Sequence, residues 1–455
     1  MVKDKKLLLQ ELEAYITHLD AEKAKTFLND LQPVDIAEII EELELKEQQW
    51  ILSLLDSETA ALVLNELDPE LGGELLGHLN EERAGEILEE MSFDDAADLL
   101  SELSDQEQNK YLELLESEDQ QDVRELMTYR EDTAGGLMTT EYVAVREDIT
   151  AARAIEVLRE IAPDAETVYY VYVINLKNQL VGVISLRELI IANPDSLIRD
   201  IMRRKVVSVP VDMDQEEVAR IVTKYNFLAV PVIDHDNSLL GIITVDDVID
   251  VIHEEAAEDL YRLAGAAGEE EEEEEEFFQR IFASLKARLP WLFITMLGGL
   301  VSGRVLSGFS EQIDAVVALA FFIPLLTGMG GNVGTQSSTV TVRGIATGQI
   351  KQDQIFTVVL RESLVGAAIG SILGLIVGVI ASVWQQKPML GIVVGLAMLG
   401  NMLTAATMGT LVPLIFRRIG IDPAVASAPF ISTAIDITGL LIYSTLATLL
   451  IAYLL

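Results

Sequence analysis

From Leu289 onward the chain strings together five runs of predominantly apolar residues, near 289–309, 315–340, 355–383, 388–416 and 424–454. Runs of about 20 such residues match the hydrocarbon thickness of a bilayer, and only helices or closed barrels satisfy their backbone there. They predict five membrane-spanning helices. Charge follows the same division. The 455 residues include 32 Lys and Arg against 74 Asp and Glu, a formal charge of −42, although half of all residues are hydrophobic. Residues 277–455 hold 10 basic and 6 acidic residues, a net of +4, which leaves −46 on residues 1–276. An acidic soluble part is joined to an apolar one.

This balance excludes several classes of function. A surface so negative repels phosphate backbones, so no nucleic-acid partner is expected, and cations become the natural ligands. With no cysteine, thiolate chemistry and zinc–cysteine sites are ruled out, and His18, His78, His235 and His253 are the only imidazoles. Metal ligands must then be mainly oxygens, which suit hard ions such as Mg²⁺, Ca²⁺ or Mn²⁺. The first thirty residues alternate charge with Leu and lack a signal peptide's apolar core, so the soluble part is expected in the cytoplasm. Arg280, Lys286, Arg288, Arg343, Lys351, Arg361, Arg417 and Arg418 fall on one side of the spans, against Arg304 and Lys387 on the other. That asymmetry puts the N-terminus inside and the C-terminus outside a plasma membrane.

Within the spans, polar residues mark function or packing. The second carries Pro324-Leu-Leu-Thr-Gly-Met-Gly-Gly-Asn-Val-Gly-Thr-Gln-Ser-Ser-Thr339, rich in small and polar residues. Such a face either lines water or packs against a neighbouring helix. The fifth carries Asp436, the one acidic residue well inside a span. A lone intramembrane carboxylate is a cation site, a proton relay or half of an ion pair, and no Lys or Arg at matching depth supports the last. A symmetric dimer would set two such carboxylates around one axis. A pore could then hold Mg²⁺ through its water shell.

The acidic half repeats itself. Every twelfth residue from Leu7 is apolar, through Leu19, Leu31, Leu43, Leu55, Leu67, Leu79, Met91, Leu103, Leu115 and Met127. Short capped helices stacked into a superhelix fit this period. Asp94 and Asp98 lie one helical turn apart in it, able to face an ion or a partner. A longer duplication follows, in which Val171 to Glu188 parallels Val230 to Asp247, each unit reading β-α-β-turn-β-α. The Gly-x-x-Ser/Thr-x-x-Asp/Glu segments and the Leu137-Met138 and Ile201-Met202 openings resemble a tandem CBS pair. That resemblance places Ser185, Glu188, Thr244 and Asp247 where such pairs hold a nucleotide such as ATP; the plainer reading is that they cap the following helices.

The acidic repeat, the Glu131-to-Thr139 junction, the CBS pair and the Gly-Met-Gly-Gly-Asn and Asp-x-Thr-Gly membrane segments together resemble the MgtE family of bacterial magnesium channels. The implied fold is a multidomain membrane protein: an all-α superhelical N-domain (1–130), an α/β tandem CBS pair (131–200 and 201–245), a plug helix with a poly-Glu linker (246–276) and a five-span α-helical transmembrane domain (277–455). The implied function is a homodimeric Mg²⁺ channel, not an enzyme, closed by cytosolic Mg²⁺. Asp436 becomes the pore carboxylate, with Gly328, Gly331, Asn332, Thr335 and Thr433 lining the path. Regulatory Mg²⁺ ligands carried over by the resemblance are Asp94, Asp98, Asp214, Glu216, Asp247, Asp250, Glu255, Glu258, Asp259 and Asp422. Asn226 departs from it, standing where some relatives are acidic. The alternative is a CBS-regulated coupled transporter of another divalent cation such as Mn²⁺ or Co²⁺. An anion pathway would require basic residues in the spans, and a mere receptor would not need Asp436.

Overall fold

A computed structural model describes residues 5–18, 20–117, 119–161, 165, 167–266, 277–350, 354–425 and 428–454. Glu269 to Glu276, the poly-Glu run, lies outside them. The chain divides into two compact units, residues 1–252 and 253–455.

In the first unit, the twelve-residue period becomes helices of eight to ten residues, among them Pro33–Ile40, Leu45–Leu54, Ser57–Asn65, Pro69–Gly77, Glu81–Leu88 and Phe93–Ser101. From Leu31 to Leu103 the repeated apolar residue sits two positions before each helix, just ahead of the N-cap. There it packs back on the core while the N-cap stops the preceding turn. The Asp56, Asp68 and Asn80 side chains accept from backbone N–H groups of Thr59, Glu70 and Arg83 at 2.8–3.0 Å. Helices this short are marginal alone, so stacking supplies their stability.

The CBS part holds two three-stranded sheets. In the first, β1 (Tyr142–Arg146) runs parallel to β2 (Thr167–Ile174), which pairs antiparallel with β3 (Leu180–Ser185). The second repeats the pattern with β4 (Val209–Pro210), β5 (Ala229–Ile233) and β6 (Leu239–Thr244). The hairpins turn at Asn178 and Asn237, at φ 60° and 65°, a left-handed conformation that Asn tolerates. Asn226 has the same role, ending the helix Gln215–Tyr225 at φ 52°. The apolar core of the helical repeats continues without a break through Ala134 and Met138 into Val209, Val218 and Val232 of the second CBS unit and on to Val248 of the helix Val245–Ala264. The first CBS unit keeps a core of its own around Val143, Val171 and Ile184.

Among the described residues of the second unit, five helices are long and apolar enough to cross a membrane: span 1 (Ile281–Ser307), span 2 (Val317–Ala346), span 3 (Ile355–Gln385), span 4 (Pro388–Arg418) and span 5 (Ala428–Leu449). Span 2 runs past the expected 340 because its charged Arg343 sits on an exposed face of a helix that ends only at Thr347-Gly348. Glycines bring the helices together. Gly366, Gly370, Gly374 and Gly378 form one stripe of span 3, and a Cβ at Gly374 would lie 2.5 Å from the Gly395 carbonyl of span 4. A Cβ at Gly409 would meet the Gly334 carbonyl of span 2 at 2.3 Å. With no hydrophobic drive between helices in lipid, such backbone contact supplies the packing energy.

Candidate functional site

Spans 2 and 5 lie side by side. Cβ atoms built at Gly334, Gly331 and Gly330 would approach Ile431 at 3.3 Å, Ser432 at 3.4 Å and Ile435 at 3.0 Å. That antiparallel order puts Asp436 at the level of the Gly328–Gly330 turn. Asp436 is half-buried; Gly328, Asn332 and Gln336 are exposed, forming a polar stripe at helical spacing on span 2, with Gly331 and Thr335 at its half-buried margin. On the opposite face Val333, Ser337 and Thr341 are buried. Sequence reasoning thus grouped residues that the fold does set on one face. Thr433 is placed differently: its Oγ1 donates to the Pro429 carbonyl at 2.7 Å, and its Cγ2 lies 1.8 Å from where a Cβ at Gly298 of span 1 would be. Asn401 of span 4 was not anticipated. Only 1% exposed, it donates through Nδ2 to the Leu326 carbonyl at 2.6 Å and presses on Gly330 and Gly439, tying span 4 to span 2 and to the span that carries Asp436.

A second group of carboxylates lies wholly within residues 1–252. The helix Phe93–Ser101 presents Asp94, 9% exposed, with an Oδ1 that has no hydrogen-bond partner. Asp95 acts on Asp94, Asp94 in turn acts on Glu141 and Asp247, and Asp98 feels the charges of Asp94, Asp95, Glu131 and Asp247. Burial lifts Asp94 well above the usual carboxylate range, and the Asp95 charge adds to it. Burial raises Glu141 to about 7 and Asp247 to about 6, with Asp94 contributing to both. Asp98 is shifted upward as well, first by desolvation and then by Asp94, but its side chain still reaches solvent, so Asp94 carries more weight. Of these, sequence reasoning found Asp94, Asp98 and Asp247. It missed Asp95, the neighbour of Asp94 on the same helix, and Glu131, noted only as the start of the junction segment; it missed Glu141 because only the packing of the repeat helix against the CBS part brings that residue in.

The pH consequence has a definite sign. Glu141, Asp247 and Asp94 hold protons more tightly folded than unfolded, where carboxylates titrate near pH 4. From about pH 7 down to about pH 4 the folded state therefore binds more protons, and stability rises as pH falls through that window. The thermal midpoint of the soluble unit should climb between about pH 8 and about pH 6, and less so in excess divalent cation, which competes with protons for the same oxygens. A midpoint that instead drops over that interval would dismiss strain at this cluster.

The remaining predicted ligands are dispersed. Asp214 caps the helix Gln215–Tyr225, accepting from the Glu216 N–H at 3.0 Å, and Glu216 and Asp250 are exposed. Within residues 253–455, Arg262 bridges Glu258 and Asp422. Asp259 is raised to about 6 by burial, with Asp422 and Glu255 adding to it. Among the described residues no three carboxylate or imidazole groups form a ready metal cage.

The nucleotide candidates also divide. A cleft of about 500 Å³ is lined by Tyr169, Tyr170, Ser185, Arg187, Ile190 and Leu228, among others. Aromatic rings, a hydroxyl and one guanidinium suit a nucleotide base and phosphate. Glu188 is not among the lining residues: it closes a capping box with Ser185 and is held by Arg203 at 2.6 Å, which keeps its carboxyl below the usual range. Thr244 donates to Asp247 at 2.7 Å in the equivalent cap, and Asp247 belongs to the acidic cluster.

Known proteins divide along the same lines. Residues 323–446 match the MgtE model, described as divalent cation transporter; 31–132 match the MgtE intracellular N domain; 134–195 and 198–254 match the CBS domain. The chain is 43% identical over 328 residues to the magnesium transporter MgtE of Thermus thermophilus, covering 72% of each. It is 42% identical over 330 residues to that of Enterococcus faecalis, again 72% of each. A solved structure titled as the cytosolic domain of the Mg²⁺ channel MgtE in complex with ATP is similar at TM-score 0.52 and 43% identity, covering 53% of this chain and 99% of that one.

Proposed function

Because the chain belongs to the MgtE family of divalent cation transporters, we propose that it carries Mg²⁺ through the membrane past Asp436 and is closed by Mg²⁺ bound among its cytoplasmic carboxylates. It is a transporter rather than an enzyme. Asp436 supplies a full negative charge at a depth where an unsolvated cation has few other partners, and the stripe of Gly328, Asn332 and Gln336 offers carbonyl and amide oxygens beside it. The stripe is exposed on the single chain; a second copy related by a twofold axis would cover it and double the carboxylates, which supports a homodimer in the bilayer. The basic residues gathered at one end of the spans support a cytoplasmic placement of the soluble part.

The observation that carries the regulatory half is the orphaned Asp94 Oδ1 inside a group of mutually repelling carboxylates. A buried acceptor without a donor awaits a cation or a proton. Mg²⁺ bound there supplies the positive charge that offsets the repulsion. The chain's own part is to hold Asp94 and Asp98 opposite Asp247, and many such weak contacts acting together give a steep response. The Tyr170–Arg187 cleft is the proposed seat of ATP, as the ATP-bound relative suggests.

Limited proteolysis of the full chain across millimolar Mg²⁺ tests the switch. The native protein should become protected as Mg²⁺ rises, and Asp94→Ala with Asp247→Ala should move the midpoint upward by about tenfold, as expected for loss of one or two charge-assisted contacts. Cleavage indifferent to Mg²⁺ in the native chain would end the sensing model.

A further inference from the structure

Glu141 precedes strand β1, yet its Oε2 accepts a hydrogen bond from the backbone N–H of Phe93 at 2.8 Å, 48 residues earlier. Phe93 is the first residue of the helix that carries Asp94 and Asp98. The local N-cap does not serve this helix: the Ser92 side chain makes no capping bond and donates to Asp95 instead. A helix start leaves its first N–H groups without partners, and a carboxylate is the best acceptor for them. Here that acceptor comes from a distant segment. Glu141 is itself fixed by its own N–H, which donates to Thr139 Oγ1 at 3.3 Å. Thr139 is fully buried and exchanges two backbone bonds with Ile242, at 2.8 and 3.0 Å. Ile242 lies in β6, which ends at Thr244, the residue that holds Asp247. An unbroken run of contacts thus leads from Phe93 through Glu141, Thr139 and Ile242 to Asp247.

We propose that Glu141 is a positioning residue of the divalent-cation sensor: by capping the Asp94 helix from the first CBS unit, it sets Asp94 and Asp98 in register with Asp247. This rests on the regulatory reading above. Its role is that of an acceptor at Phe93, not of an ion ligand, and the two roles respond differently to substitution. Glu141→Gln keeps a side-chain oxygen for the Phe93 N–H and removes the charge. Glu141→Ala removes both.

Two measurements on the full-length protein decide it. The first is amide hydrogen exchange in peptides spanning Phe93, read without added divalent ion. Exchange there should quicken in Glu141→Ala and stay native in Glu141→Gln; equal quickening in both, or in neither, overturns the cap. The second is the Mg²⁺ midpoint of protease protection. Glu141→Ala should raise it about fivefold, and Glu141→Gln should leave it at or below the native value, since a like charge has gone. An equal rise in both variants marks Glu141 as an ion ligand and overturns the proposal, as does an equal fall in both. Native-like protection of Glu141→Ala at saturating Mg²⁺ shows that the variant still folds. If the native chain shows no Mg²⁺ dependence, the regulatory reading fails and the positioning role with it, while amide exchange still reports separately whether Glu141 caps the helix.

Discussion

Asp436→Ala and Asp436→Asn should each cut Mg²⁺ flux into liposomes by roughly ten- to a hundredfold. A contact to a charged group is worth about 1.5–3 kcal/mol, and each 1.4 kcal/mol is tenfold. The Asn variant is the sharper one. It keeps the size and the carbonyl oxygen of the side chain, so a loss equal to that of Ala assigns the effect to charge, whereas retained flux in Asn assigns it to shape. Flux undiminished in both would remove Asp436 from the path. The same liposomes loaded against Mn²⁺ and Co²⁺ separate a Mg²⁺ pathway from a carrier of another divalent ion. Oxygen ligands alone discriminate weakly between these ions, and size and hydration decide.

Gly409→Val should abolish assembly of the membrane domain. A Cβ there would lie 2.3 Å from the Gly334 carbonyl, a backbone atom that no rotamer change can move aside. Overpacking of this kind typically costs about 1–3 kcal/mol and more where backbone must shift. Since Gly334 also packs against Ile431 and Ile435, the displacement reaches the helix that carries Asp436. Detergent-solubilised Gly409→Val should lose its folded fraction on gel filtration and in thermal unfolding, and any remainder should pass little Mg²⁺. Gly303→Val is the matched control, because a Cβ at Gly303 meets nothing within 4 Å. Equal behaviour of the two variants would show that the glycine seam between spans 2 and 4 is not a packing contact at all.

The fold class was legible because it follows from periodicity. Apolar length gave the spans, the twelve-residue spacing gave the short helices, and the duplication gave the paired sheets. Each is a one-dimensional pattern with one physical cause. The helix ends were read less well, since span 2 continues through Arg343 to Ala346, where an exposed face accommodates the charge. The candidate site was readable only where chemistry stands alone. Asp436 is conspicuous as a carboxylate in an apolar run. Asn401 is not, because Asn401-Met-Leu-Thr is an ordinary polar interruption until its amide is seen to reach Leu326, 75 residues away. Glu141 is likewise one acid among 74 Asp and Glu. Its singular place depends on a long-range packing contact, which no spacing encodes.

The two CBS units are alike in sequence and in strand order, yet they have unequal standing in the molecule. One has a private interior. The other shares its interior with the helical repeats, through Val209, Val218 and Val232. Duplication has therefore been followed by specialisation: the second copy is a hub whose apolar surface is finished by its neighbour. Deleting residues 1–130 would not free a self-sufficient pair but would open that hub to water and to aggregation. A change of side-chain volume at Val209 or Val218 is therefore felt by the repeat helices as well as by the second copy.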